Sequence, residues 1–310
     1  MTDVVADIVA DVVAAIRHGS MVYCRNRFHA PWGVAIPAGT IASFHVVGAG
    51  KCWLVPDGGE PLRLNEGDVV LVPSGNGHAL VDLPGRPARD VAELIGGQPG
   101  QVVPPPELVI DGDGPVTTLL CGGFVLDARR HPLAALLPPV VHIDSGQAAG
   151  TGLAAAIDLL RAEIDRTDPG APAVIAALAD LLFVYLLRAW LTERRDHDGW
   201  VRALYDPTVG GALALIHADP AHPWTVAALA RAVAVPRATF SRRFTTLTGQ
   251  PPMSYVTTWR MAVAARLLRD HQAPLREVAR KVGYDSEFAF ARAFKRSTGQ
   301  APGRYRVAAR

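Results

Sequence analysis

Cysteine is scarce. The 310 residues hold three, Cys24, Cys52 and Cys121, and no two of them form a CxxC pair. So few cannot staple a small scaffold, which excludes a disulfide framework and fits a reducing, cytoplasmic setting. A basic start is missing from the N-terminus, where MTDVVADIVADVVAAIR carries Asp3, Asp7 and Asp11 ahead of its first basic residue, Arg17. A secretory leader opens on positive charge, and this stretch reads as a short amphipathic helix. A charge-free membrane span is also missing. The most apolar run, Val174 to Leu191, is interrupted by Asp180 and Arg188, each costly in hydrocarbon, so the run reads as a buried or interface helix and no membrane partner is expected.

What the chain does have is apolar bulk and lopsided charge. At 49% hydrophobic it can bury two cores and is too apolar for disorder. The net charge of +2 conceals opposite parts: residues 1–205 carry 15 Lys/Arg and 23 Asp/Glu, and residues 206–310 carry 16 and 6, so the two stand at −8 and +10. An acidic body joined to a basic module suggests that the C-terminal third meets a polyanion.

Periodicity divides the chain further. From about residue 20 to 145, short apolar runs such as SFHVV, CWLV, DVVLVP and VTTLL alternate with turn residues, the pattern of a small all-β unit, with GGQPGQVVPPPE (Gly96 to Glu107) as a loop inside it. TGLAAAIDLLRAEIDRT and APAVIAALADLLFVYLLRAWLTERR then show helical spacing, broken by Asp168 to Pro172, and read as a helical hairpin. TERRDHDG is a linker, and everything from Asp206 onward reads helical. The expected architecture is a two-domain α+β chain: a β-domain over 1–150, a hairpin over 151–200 whose apolar face supports a homodimer, and an all-α module over 206–310.

The basic module says one thing twice. FSRRFTTLTGQPPMSY (Phe240 to Tyr255) recurs as FARAFKRSTGQAPGRY (Phe290 to Tyr305) at one fixed offset. Two copies are too few for a solenoid. In the first, Thr225 caps a helix with Val226, Leu229, Ala230 and Val233 on one face, and a second helix follows that buries Phe240 and Phe244. In the second, Leu275, Val278, Ala279 and Val282 turn inward, Gly283 makes the turn, and Phe290 and Phe294 anchor the second helix. Each is a helix-turn-helix. With the Phe pairs inward, helical spacing exposes Arg237, Ala238, Ser241, Arg242 and Thr245 in one copy, and Glu287, Phe288, Ala291, Arg292 and Lys295 in the other. Arginine can grip a guanine edge through two hydrogen bonds or hold a phosphate. MSYVTTWRMAVAARLLRD between the units reads as one rod of about 25 Å, which sets the two helices about one DNA turn apart.

Residues 206–310 resemble the DNA-binding domain of AraC/XylS-type bacterial transcription regulators, including ArgGluValAlaArgLysValGlyTyrAspSer and the ending PheLysArgSerThrGlyGlnAlaProGlyArgTyrArg. The resemblance implies a regulator, an activator more than a repressor, that binds double-stranded promoter DNA and works with RNA polymerase. It also implies that Ala238, Ser241, Arg242, Glu287, Ala291 and Arg292 face DNA, although Ala238 and Ala291 are too small to donate hydrogen bonds.

GDVVLVPSGNGHALVD fits the second cupin motif, Gly-x5-Pro-x-Gly-x2-His, at Gly67, Pro73, Gly75 and His78, so the β-domain is expected to be a cupin-like barrel with flanking helices. Enzymatic cupins complete their metal site with a His-x-His and a Glu, and here Ser43 stands where that Glu would be. His45 and His78, with His29 or Cys52, are candidate ligands for zinc or iron or for an effector pocket. Combined with CGGFVLDARRHPLAALLPPVVHI, the β-domain resembles the sensory domain of an AraC-type branch that includes regulators responsive to reactive chlorine species, whose redox cysteines match Cys24 and Cys121. Thiol oxidation, an organic effector and a metal all remain open as the signal. The rival readings are a metal-dependent cupin enzyme with a basic appendage and a nucleoid-binding protein with no sensing role.

Overall fold

A computed structural model describes residues 8–14, 17–39, 41–96, 107–126, 137–164, 166, 168–193, 199–270 and 273–308. Most of the loop from Gly96 to Glu107, most of the TERRDHDG linker and the side chain of Cys24 lie outside the described residues. The chain divides into two compact units: one holds residues 17–126 and 137–192, and the other residues 8–14, 193 and 199–308 among those described. The hairpin therefore shares a unit with the strands.

The first unit is built from β1 (Arg17–His29), β2 (Gly33–Ile36), β3 (Ile41–Ala49), β4 (Lys51–Pro56), β5 (Leu62–Asn65), β6 (Val69–Val72), β7 (His78–Val81), β8 (Arg89–Asp90), β9 (Glu107–Ile110), β10 (Val116–Leu126) and β11 (Val141–Ile143). They form one sheet in the order β11-β6-β3-β10-β1-β9 and another in the order β5-β4-β7-β2-β8. Phe28, Val34, Val47, Leu54, Leu64, Val70, Leu80 and Leu119, drawn from both sheets, share one core. A strand shows opposite faces at alternate residues, and β3 is buried on both. Val47 lies in the inter-sheet core. Phe44 stacks on Phe124 at 5.0 Å, and Phe124 meets Phe183 at 4.8 Å. Phe183 belongs to α2 (Ala171–Glu193), the long arm of the hairpin begun by α1 (Gly152–Ile164). Each buried Phe removes enough apolar surface from water to stabilise the unit by about 1.5–3 kcal/mol. α2 is long and apolar enough to cross a membrane by length and composition, but its Phe183, Leu186, Leu187 and Trp190 are buried inside the unit.

The cupin-motif turn is fixed sterically at Gly75. Its φ of +64° suits glycine, and a Cβ there would stand 2.3 Å from the Gly39 carbonyl oxygen. The turn delivers His78 to the start of β7, buried.

The second unit is helical: α3 (Trp200–Tyr205), α4 (Pro207–Ala218), α5 (Val226–Ala232), α6 (Arg237–Thr248), α7 (Pro252–Asp270), α8 (Leu275–Lys281), α9 (Glu287–Thr298) and α10 (Pro302–Ala308). Most of the repeated text is packing and capping. Phe240, Phe244, Phe290 and Phe294 are fully buried, and Phe244 and Phe294 meet Tyr255 and Tyr305 edge-on at 5.8 and 5.4 Å. Gly249 and Gly299 close α6 and α9 in the left-handed conformation, donating to the carbonyls of Thr245 and Lys295. Thr248 and Thr298 donate their hydroxyls to the carbonyls of Gln250 and Gln300. Residues 8–14 belong to this unit. Ile8, Val9, Val12 and Val13 are buried, and Asp11 lies 3.3 Å from Nδ1 of His217, whose ring stacks on Trp259 at 3.8 Å.

Candidate nucleic-acid interface and sensor cluster

Two helix-turn-helix units stand on α7. In the first, Thr225 accepts a hydrogen bond from the Ala228 amide and starts α5, and Leu229 and Ala230 point inward. In the second, Ser286 accepts from the Ala289 amide and starts α9. With their Phe pairs buried, α6 and α9 turn the opposite face outward. Arg237, Ala238 and Arg242 are exposed and Ser241 is half-buried; Glu287, Arg292 and Lys295 are exposed and Ala291 is half-buried. Among the repeated residues, the arginines at 242 and 292 are exposed and cap no helix. Each is one turn from its helix start and presents a flat, always charged donor set.

The copies differ at their turns. Gly283 (φ +76°) stands 49 residues after Ala234 (φ +54°), whereas Phe290 stands 50 after Phe240. Matching hydrogen bonds fix the equivalence: the Val235 amide donates to Ala230 and the Tyr284 amide to Ala279. The second unit thus has one more residue between turn and exposed helix, and the first holds alanine in a conformation that favours glycine.

Arg260 of α7 connects the copies. Its Nε donates to the Pro220 carbonyl at 2.7 Å and its Nη2 to that of His222 at 2.8 Å, both ahead of α5, while Nη1 approaches the Gly283 carbonyl at 3.5 Å and the guanidinium lies 5.8 Å from the Tyr284 ring centre. A Cβ on Gly283 would stand 2.6 Å from Arg260 Nη2 and 2.7 Å from the Ala221 carbonyl oxygen. Nothing in the local pattern singles out Arg260, because its partners are backbone carbonyls distant in sequence. Asp206 is a second such residue. It accepts from the Thr208 and Val209 amides, capping α4, and pairs with Arg243 at 2.8 Å. Burial alone would raise its carboxyl, but Arg243 and the two amides hold it below the usual range.

In the strand unit, register collects the sensor candidates. β10 lies between β1 and β3, placing Cys121 opposite Cys24 on one side and opposite His45 on the other. Directly opposed residues in antiparallel strands have Cα atoms about 4.5–5.5 Å apart, within the range a disulfide spans. The Cys121 sulfur is 3.0 Å from His45 Nδ1, His45 Nε2 is 2.8 Å from His78 Nε2, and His78 Nδ1 is 3.0 Å from the Asn76 carbonyl oxygen. Burial, and then the neighbouring His78, lower the pKa of His45 well below the usual imidazole value; burial also lowers His78, against the Asn76 carbonyl and Asp57. Both rings are therefore neutral near pH 7, and hydrogen-bond bookkeeping fixes their tautomers. A carbonyl only accepts, so His78 donates from Nδ1 and accepts at Nε2; His45 then donates from Nε2, leaving the lone pair of Nδ1 aimed at the Cys121 sulfur.

The other candidates sit elsewhere. Cys52 is buried in the apolar core beside Leu54 and Leu64, and burial, with Asp68, pushes its thiol up to about 12. His29 ends β1 opposite Val116. His45 directs its two nitrogens to opposite sides, so one ion cannot take Cys121, His45 and His78 as arranged. Among the described residues no group of three His, Cys, Asp or Glu is placed to hold a metal, and the donor set does not fit a cupin metal.

Residues 7–192 match the family model described as Cupin, and residues 229–308 the model described as Helix-turn-helix domain. A putative AraC-like transcription regulator of Streptomyces antibioticus is 37% identical over 279 residues, covering 89% of this chain and 90% of that protein. The HTH-type transcriptional regulator AlkR of Acinetobacter baylyi is 29% identical over 294 residues, covering 92% and 94%. The RCS-specific HTH-type transcriptional activator RclR of Escherichia coli is 28% identical over 273 residues, covering 86% and 84%.

Proposed function

The chain belongs to the AraC-like transcription regulators with an N-terminal cupin domain, a DNA-binding family rather than an enzyme, and from that premise we propose that it is switched by oxidation of Cys24 and Cys121. The observation that carries the reading is the Cys121 sulfur held 3.0 Å from the lone pair of a neutral, buried His45, with Cys24 directly opposite in strand register.

In this reading His45 takes the Cys121 proton as the sulfur attacks the chlorine of hypochlorous acid and passes it to the departing hydroxide, giving a sulfenyl chloride and water. The Cys24 thiol then displaces chloride, forming the S–S bond and releasing its proton. Two thiols lose two electrons, and chlorine is reduced to chloride. The 28% identity to a regulator named as specific for reactive chlorine species supports an oxidant of that class. β1, which bears Cys24, follows closely on residues 8–14, and these belong to the DNA-binding unit through Asp11 and His217. A change in β1 therefore has a short covalent route to residues 8–14 and, through their contact with His217, to α4 of the DNA-binding unit.

On the DNA side, α6 and α9 enter successive major-groove segments, Arg242 and Arg292 contact base edges or phosphates, and Arg237, Ser241, Glu287 and Lys295 flank them. Two chains pair through α1 and α2, where Leu159, Val174 and Leu181 are exposed. The dimer activates transcription with RNA polymerase in the cytoplasm. The test measures promoter-DNA binding by the reduced, purified full-length protein before and after stoichiometric hypochlorite, for the wild type, Cys24→Ser and Cys121→Ser. Wild-type affinity should change and a Cys24–Cys121 disulfide appear by mass spectrometry, with neither variant responding. Equal responses in all three would remove the thiol switch.

A further inference from the structure

We propose that Phe288 is a base-reading residue, packing its ring on the 5-methyl group of a thymine beside the base edge reached by Arg292. The inference rests on the reading of α9 as a DNA-contacting helix.

Phe288 lies in the first turn of α9 and is 72% exposed, the only aromatic among the large apolar side chains that the described residues leave exposed. An aromatic ring held in water on a rigid helix forgoes the burial that draws Phe290 and Phe294 into the core two and six residues later. The nearest charge to the ring is cationic: the Arg292 guanidinium lies 5.9 Å from its centre, and the helix carries Lys295 and Arg296 in its last turn against the single acidic Glu287 in its first. The face of an arginine can rest on an aromatic ring while its edge N–H groups stay free to donate, so Phe288 holds Arg292 edge-outward.

A cationic surface with one apolar knob needs a partner that is anionic and presents an isolated apolar group. In the major groove every base edge is polar apart from the thymine methyl, and phenylalanine is among the side chains suited to contact it. A protein partner or a lipid surface would call for a broader apolar area than one ring beside an arginine. The matching position in α6 is Ala238, too small to reach as far. The two exposed helices therefore read different letters, and the bound site has a direction.

The experiment selects binding sites for the full-length protein from a random duplex library and then replaces each enriched thymine singly with deoxyuridine, which lacks only the 5-methyl group. At one position in the half of the site bound by α9, the wild type should lose about fourfold in affinity, the worth of one buried methyl. Phe288→Ala should bind the thymine and deoxyuridine duplexes equally, and Phe288→Leu should keep part of the difference. Wild-type tolerance of deoxyuridine at every position, or an undiminished difference in Phe288→Ala, would overturn the assignment. Failure to enrich any site would instead overturn the sequence-specific reading of α9, and this inference with it. Circular dichroism confirms that each variant is folded, as expected for a side chain this exposed.

Discussion

Gly283→Ala is predicted to disable one DNA-contacting unit without touching either contact helix. At φ +76° an alanine pays about 1 kcal/mol more than glycine, partly offset by the lower entropy of its unfolded chain. The larger cost comes from contact. The new Cβ would stand 2.6 Å from Arg260 Nη2 and 2.7 Å from the Ala221 carbonyl oxygen, and the backbone oxygen has little room to retreat. If Arg260 yields, it gives up charge-assisted bonds to the Pro220 and His222 carbonyls, worth about 1.5–3 kcal/mol each. Partial loss of that pair plus the backbone term gives roughly 3 kcal/mol. The equivalent residue in the other unit supplies an internal control, because Ala234 already occupies that conformation at φ +54° and Ala234→Gly should lie within about 1 kcal/mol of wild type. Urea denaturation followed by far-ultraviolet circular dichroism reads both variants in the intact protein, with the helical unit's transition fitted separately. A Gly283→Ala protein within 0.5 kcal/mol of wild type, on the same order-of-magnitude scale, would refute the reasoning about Arg260 and the turn.

Three further outcomes follow from the geometry. His45→Gln, made in a Cys24→Ser background, should slow alkylation of Cys121 by iodoacetamide at least about tenfold at pH 7, since it removes the base facing the sulfur; Cys52 stays silent because its thiol is pushed up to about 12, and peptide mass spectrometry follows the rate. Acid should destabilise the protein. The folded-state pKa values of His45, His78 and His217 are lowered, chiefly by burial, so as pH falls below about 6.5 the unfolded chain binds protons first and stability declines; a melting temperature unchanged between pH 7 and pH 5 would contradict this. If two chains pair through α1 and α2 as proposed, Leu181→Glu, on the exposed face of α2, should lower the sedimentation coefficient from dimer to monomer while leaving the circular dichroism spectrum intact.

The repeated text was the most legible part of the chain, because it is mostly local physics. Phe pairs four residues apart, Thr-Gly caps and a following Pro mark two helices and their ends without reference to the rest of the molecule. The two-domain α+β character was legible for a similar reason, since the hydrophobic period changes near residue 150 and the charge changes sign near residue 206. The sensor cluster was only half legible. His45 and His78 stand out through the cupin motif and Cys121 through resemblance, but the pairing of Cys121 with His45 spans 76 residues and exists only because β10 lies beside β3. The missing residue in the first turn was hidden by the fixed offset of 50 in the text that follows it. Arg260 and Asp206 act on backbone groups and on a partner in another helix, which no periodicity encodes.

The proposal that one chain holds duplex DNA through two like helices on a shared spacer is put to its sharpest test by methylation-protection footprinting of the full-length protein on a selected site. Two protected major-groove patches per chain are expected about one helical turn apart, with Arg242→Ala erasing one and Arg292→Ala the other. A single patch, or a footprint unchanged in both variants, would contradict it.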